Sequence, residues 1–154
     1  MSERTSGLWT ALTHPARASY GSRRERLVSA LAVGLLAGLS AAMATYTLWQ
    51  GSLAPGWAGD TVMGSLVFAA GVLVKLLCQN LKTSVLALAV AVVAGAALTA
   101  AAAVAPYLLL DIGTLGGIAL LPELRDVITL LVFGQVPLLL FGYLIAIVYD
   151  GVTA

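Results

Sequence analysis

The chain has 154 residues, of which 60% are hydrophobic and 10% are charged, and its mean hydropathy is +1.00. These proportions exclude a water-soluble globular protein, and we expect no nucleic-acid partner. The formal net charge is only +1, but five of the eight basic residues lie before residue 27.

Four long apolar stretches dominate the sequence, at residues 27–49, 61–78, 83–104 and 127–149. Each is close to the roughly 20 residues that a helix needs to cross a hydrocarbon core of about 30 Å. We therefore predict an all-α, polytopic membrane protein with a four-transmembrane-helix bundle at residues 27–149. An N-terminal tail (1–26) and a short C-terminal tail (150–154) flank it, and the lipid bilayer is its first partner.

The N-terminal tail has two features that bear on the membrane. If residues 6–14 are helical, Leu8, Trp9 and Leu12 share one face, so this segment would lie in the membrane plane. Arg23 and Arg24 resemble a twin-arginine export signal, but the apolar run that follows exceeds the roughly 7 to 15 residues of a secretory signal. We expect the first span to be retained.

The distribution of lysine and arginine predicts the orientation, because these residues are retained on the cytoplasmic side. The tail, together with Lys75 and Lys82, carries seven basic residues on one side, whereas Arg125 is alone on the other. We predict a multi-pass protein of the cell membrane with both termini in the cytoplasm.

Two spans carry stripes of small residues at four-residue intervals. The first has Ala30, Gly34, Gly38 and Ala42, and the third has Ala87, Ala91, Gly95, Thr99 and Ala103. Small residues let helix backbones approach closely in lipid. We predict that the first and third helices touch, or that one stripe is a surface for self-association.

The connections between the spans differ in length and polarity. The polar residues 79–82 predict a tight hairpin in which the second and third helices are antiparallel neighbours. Residues 105–126 form a longer and unusually apolar stretch, which would lie on the outer interface, re-enter the bundle, or be covered by a partner. Pro122 is predicted in the first turn of the fourth helix.

The fourth span contains Gly134, Gln135 and Pro137. A proline inside a helix removes a backbone donor, so we predict a kink at residues 133–137. The Gln135 amide needs partners in hydrocarbon and should face other helices. We predict that Gln135 belongs to a polar cluster, which either forms simple interhelical hydrogen bonds or lines an outward-open cavity. Its other members would be Ser40, Thr45, Ser65 and Thr99.

Lys75 is the only side chain within a predicted span that is charged at neutral pH. Its long stem can carry the ammonium group to the headgroups, which is the simpler interpretation. The alternative is an ion pair with Asp150 or Glu25, which are expected at the same depth.

No catalytic or metal-binding pattern is present, since Cys78 and His14 are the only residues of their types. We expect no enzyme activity, no metal and no cofactor. The leading hypothesis is an accessory or assembly subunit that packs through its small-residue faces, either on itself as a homo-oligomer or on a larger membrane protein. The alternative is a small oligomeric transporter or channel gated at the kinked fourth helix, although no span contains the carboxylate that ion-coupled carriers usually use.

Overall fold

A computed structural model describes residues 23–51, 56, 59–78, 80–109 and 113–153, apart from the side chains of residues 108, 109, 113–120 and 153. Every element in these ranges is helical. The helices are α1 (Arg23–Trp49), α2 (Asp60–Leu77), α3 (Leu81–Leu109), α4 (Gly113–Leu130) and α5 (Val136–Thr153), with a π-helical segment (Leu131–Gln135) joining α4 to α5. The predicted interfacial helix at residues 6–14 lies outside the described residues.

Four helical stretches are long and apolar enough to cross a membrane, namely Arg23–Trp49, Asp60–Leu77, Leu81–Tyr107 and Leu121–Val152. The predicted all-α four-helix bundle is therefore confirmed, and the chain is a small integral membrane protein. Large apolar side chains such as Leu36 and Phe133 lie on the outer surface, whereas alanines such as Ala30 and Ala41 are fully buried. This distribution fits a protein solvated by lipid, where small residues form the helix contacts.

The helices form two parallel pairs. Helices α1 and α3 run in one direction and make the most extensive contact in the bundle, whereas α2 and α5 run in the opposite direction and make the next largest. A further contact between α1 and α2 joins the pairs. We call the side of the membrane where α1 begins the Arg23 end, and the opposite side the Trp49 end.

The short connection between α2 and α3 does not make these helices the main packing partners. Asn80 caps α3 by accepting a hydrogen bond at Oδ1 from the Lys82 backbone N–H, at 3.0 Å. The two helices are antiparallel, as predicted, but their contact is much smaller than those within the two pairs. The reason is that the faces able to approach closely point toward other helices.

The fourth helix comprises α4, the π-helical segment and α5 together, and its predicted start at Pro122 is wrong. The helix already begins at Gly113 and contains Pro122, and α3 continues to Leu109 with Pro106 inside it. Most of the stretch that we expected to be a long connection is therefore helical. An apolar segment next to a bilayer satisfies its backbone groups most readily as a helix, and a proline removes only one of those bonds.

The π-helical segment keeps one face of the long fourth helix directed at the bundle. The buried residues of this face recur every four positions. They are Val127, Leu131, Gln135, Leu139 and Tyr143. In an unbroken α-helix, a four-residue step drifts by about 40°, so the face would turn through about 160° over this stretch. The extra residue in the π turn removes about 100° of that drift.

Candidate functional site

The two small-residue stripes predicted from the sequence meet at the interface of α1 and α3. A Cβ atom built on Gly34 would lie 2.5 Å from the Ala87 carbonyl oxygen, and one built on Gly38 would lie 2.8 Å from the Ala91 carbonyl oxygen. Gly38 and Gly95 face each other where the helices cross. The flanking stripe members are also buried, so the two backbones are in contact along this face. These are Ala30, Ala42 and Thr99.

A buried amide lies beside this crossing. Gln135 ends the π-helical segment, is 1% exposed, and extends its Nε2 atom against Gly95, where any Cβ would overlap it. Its Oε1 atom accepts a hydrogen bond from the Thr99 hydroxyl at 3.1 Å, and the same hydroxyl lies 2.9 Å from the Gly95 carbonyl oxygen. We call Gly38, Gly95, Thr99 and Gln135 the Gln135 site.

The Gln135 amide is incompletely paired. Its Nε2 atom has no hydrogen-bond partner among the residues that the structure describes. Rotating the amide by 180° would let nitrogen donate to Thr99 while Thr99 donates to Gly95, but the oxygen would then be the atom without a partner. In both orientations one polar atom is buried unpaired, which is costly in a membrane interior.

The other members of the predicted polar cluster do not join this site through hydrogen bonds. Ser40 and Ser65 lie on exposed faces and donate to the carbonyl groups of Leu36 and Val62 in their own helices. Thr45 is buried, and its hydroxyl has no partner within the described part of the chain.

Gly134 and Pro137 lie at an irregular turn of the helix, whereas the predicted kink itself stays a prediction. The Val136 backbone N–H bonds to the Leu131 carbonyl group, five residues earlier, and Pro137 has no N–H to offer. The irregularity is thus a π turn followed by a proline. Gly134 is partly exposed, and a Cβ there would contact only Leu130 of the same helix.

Lys75 lies apart from the Gln135 site. Its ammonium group forms an ion pair with Asp150 at 2.5 Å, and the Lys75 side chain is 9% exposed against 65% for Asp150. The structure therefore shows the alternative interpretation, an ion pair with Asp150, rather than the simpler one in which Lys75 reaches the headgroups without a partner. Since Asp150 is fifteen residues beyond Gln135, the two sites are separated by about 22 Å along the helix.

A second polar contact lies near the Arg23 end. The Ser84 hydroxyl donates to the Leu81 carbonyl group, so the Tyr143 hydroxyl, at 2.8 Å, donates to Ser84. Together with the Lys75–Asp150 pair, this bond ties α5 to α2 and to the beginning of α3. We call these four residues the Arg23-end clamp.

Sequence reasoning missed the packing of α2 against α5. A Cβ on Gly71 would overlap the Leu139 carbonyl oxygen, and one on Gly142 would overlap the Phe68 carbonyl oxygen. The available signal was modest: Gly142 and Ala146 are four residues apart, but α2 offers only Ala70 and Gly71 opposite them. Two isolated glycines do not form a recognisable stripe.

Several grooves open on the surface of the described part of the bundle. One, of about 510 Å³, runs between α1 and α2 and is almost entirely apolar; its floor includes Ala37, Ala44 and Ala70. Another, of about 500 Å³, lies near the Trp49 end between α1 and the fourth helix. Trp49, Asp126, Phe133 and Gly134 line it.

The described residues contain no group of three or more His, Cys, Asp and Glu side chains that could hold a metal ion. Comparison with protein-family models, curated proteins and solved structures finds no match to this chain. The fold thus defines the class, a small integral membrane protein with a four-helix bundle, and the site must be interpreted from its own geometry.

Proposed function

We propose that this protein is a non-enzymatic accessory or assembly subunit, which binds a transmembrane helix of a larger membrane protein in the groove between α1 and α2. The groove itself is the observation that carries this proposal. It extends from Val33 to Thr47 along α1, or about 21 Å, which is two thirds of the thickness of the hydrocarbon core.

The chemistry of the groove suits an apolar helix. Its alanine floor lies between larger side chains, including Leu36, Met43 and Leu66. The hydroxyl groups of Ser40 and Thr47 donate to carbonyl groups of α1, so the groove has few polar groups to offer. Close packing of a helix against small residues is the usual basis of association in lipid.

The tight interior supports the same proposal. Backbones are in contact at Gly38 and Gly95 in one helix pair, and at Gly71 and Gly142 in the other. A protein that works by presenting an outer surface has no need of an open interior.

Photocrosslinking in the native membrane tests this function. A benzophenone amino acid at residue 36, 43 or 66, whose side chains line the groove and are 60%, 67% and 48% exposed, should give a discrete adduct heavier than two copies of the chain. The same probe at Phe141, which is 61% exposed on α5 and outside this groove, is the matched control and should label lipid only. An adduct with the mass of two copies would indicate self-association instead. If the groove positions label only lipid, as Phe141 does, the proposal is wrong.

A second candidate function is a small transporter or channel, and the unpaired Gln135 amide is the observation that favours it. Polar groups buried within spans commonly mark solute pathways. Flux of urea, glycerol, Na⁺ and K⁺ into proteoliposomes would test this candidate. Flux that is lost in Gln135→Leu but retained in Thr129→Val, whose hydroxyl bonds only within its own helix, would support transport.

A further inference from the structure

The hydrophobic core of the bundle has two parts, and they meet at the π-helical segment. After the segment, Leu139 and Tyr143 belong to the main core with α1, α2 and α3. Before it and at its first residue, Val127 and Leu131 belong to a small separate core with Ala103, against which Trp49 packs. The fourth helix therefore connects two packing units through its least regular turn.

The described contacts of the two units differ. At the Arg23 end, α5 is fastened by the contacts of Gly71 and Gly142 and by the Arg23-end clamp. At the Trp49 end, the described side chains of α4 contribute the small core, and Glu123 lies beside Tyr107. Any movement about the π turn is thus expected in α4 rather than in α5.

Gln135 lies between the two cores, and its environment favours such movement. In the structure its amide is bonded to Thr99, but one amide atom is buried and has no partner among the described residues. An opening that admits water or lipid headgroups would satisfy that atom, so the unpaired atom lowers the free energy of opening. The groove lined by Trp49, Phe133 and Gly134 provides space beside the same turn.

We propose that the π-helical segment is a hinge, about which α4 moves with the adjoining end of α3 relative to the rest of the bundle, and that the Gln135–Thr99 bond is its latch. This is a property of the fold that neither proposed function requires. It explains why a costly unpaired amide, a π turn and a proline coincide between two separate cores.

Spin labels can measure this motion in the full chain. In a Cys78→Ala background, labels at positions 60 and 125 report the Trp49 end, and labels at positions 24 and 152 report the Arg23 end. Double electron–electron resonance in lipid nanodiscs should show two distance components for the first pair of labels and one narrow component for the second pair. A single narrow component for both pairs would overturn the proposal.

Two variants test the latch. Thr99→Val removes the Gln135–Thr99 bond and leaves the unpaired amide in place, so it should increase the more open component at positions 60 and 125. Gln135→Leu removes the bond together with the amide that opening would hydrate, so its open component should be smaller than that of Thr99→Val. Thr99→Ala takes the place of Thr99→Val if that variant fails to fold, and an open component no larger than that of the unsubstituted chain contradicts a latch at Gln135.

Discussion

Glycine has a different role at different positions in this bundle, and the difference lies in what each residue faces. Gly34, Gly38, Gly71 and Gly142 face backbone atoms of a neighbouring helix, so that a methyl group in their place would collide with atoms unable to move independently. Gly64 faces only the end of the Leu138 side chain, at 3.9 Å. Helix association in lipid depends on close approach, so only the first group should matter strongly for stability.

Gly71→Ala and Gly64→Ala form a matched pair in α2. Gly71→Ala should lower the free energy of unfolding by about 1 to 3 kcal/mol, because the added methyl group forces α2 and α5 apart. Gly64→Ala should be neutral or stabilise by about 0.5 to 1 kcal/mol through the better helix propensity of alanine. Unfolding in mixed micelles measures both. Equal losses in the two variants would show that the Gly71 contact is not specific.

The Lys75–Asp150 pair should respond asymmetrically to mutation. Asp150→Asn leaves the ammonium group of a side chain that is 9% exposed without its carboxylate, and should cost about 1 to 3 kcal/mol at this membrane edge. Lys75→Met should cost less, because the Asp150 side chain is 65% exposed and can be hydrated. The same unfolding assay compares them. A larger loss in Lys75→Met would contradict this expectation, because it would show that the unpaired carboxylate rather than the unpaired ammonium group is the costly one.

At the scale of the elements, the fourth helix has one irregular turn between two α-helical parts. Residues 136–153 form an ordinary α-helix, whereas the turn before them contains one residue more than an α-helical turn. The prediction of a break at residues 133–137 identified the place, because proline acts locally. It did not identify a π turn, because that geometry depends on which residues must face α1, α2 and α3.

Deleting one residue in the π turn or in the regular α-helix tests whether the extra residue of the π turn matters for packing. In a Pro137→Ala background, deletion of Val132 should convert the π turn to α-helix while both flanking faces keep their orientation. Deletion of Leu140, also an exposed residue, should rotate one flank by about 100° and lose the contacts of either Gly142 and Asp150 or Leu131 and Gln135. The Val132 deletion should therefore retain a cooperative thermal transition that the Leu140 deletion loses. Equal tolerance of the two deletions would contradict the proposed role of the π turn.

At the scale of the whole molecule, the order of packing differs from the order along the chain. Helices joined by short connections must be antiparallel, but the largest contacts here are between parallel helices two spans apart. The clustering of arginine and lysine bears on the orientation of the whole molecule, because four crossings bring the beginning of α1 and the end of α5 to the same side of the membrane. Their cytoplasmic location stays a prediction.

Reporter fusions test the orientation. A fluorescent protein fused after Ala154 should fluoresce, and alkaline phosphatase at the same position should be inactive, because the positive-inside rule places this end in the cytoplasm. Alkaline phosphatase inserted after Gly56 is the control and should be active. The reverse pattern would show that the seven clustered basic residues do not set the topology.

The sequence alone determined the environment and class of this protein, because composition and the lengths of apolar runs depend only on the solvent that the chain must satisfy. It also indicated the α1–α3 interface, since each helix carries its own complete stripe of small residues. The tertiary structure decided what depends on two distant segments at once. This includes the α2–α5 contact through single glycines, the choice of Asp150 as the partner of Lys75, and the unpaired amide of Gln135. In each case neither segment alone carries the information, because a close contact is a property of two surfaces and their register.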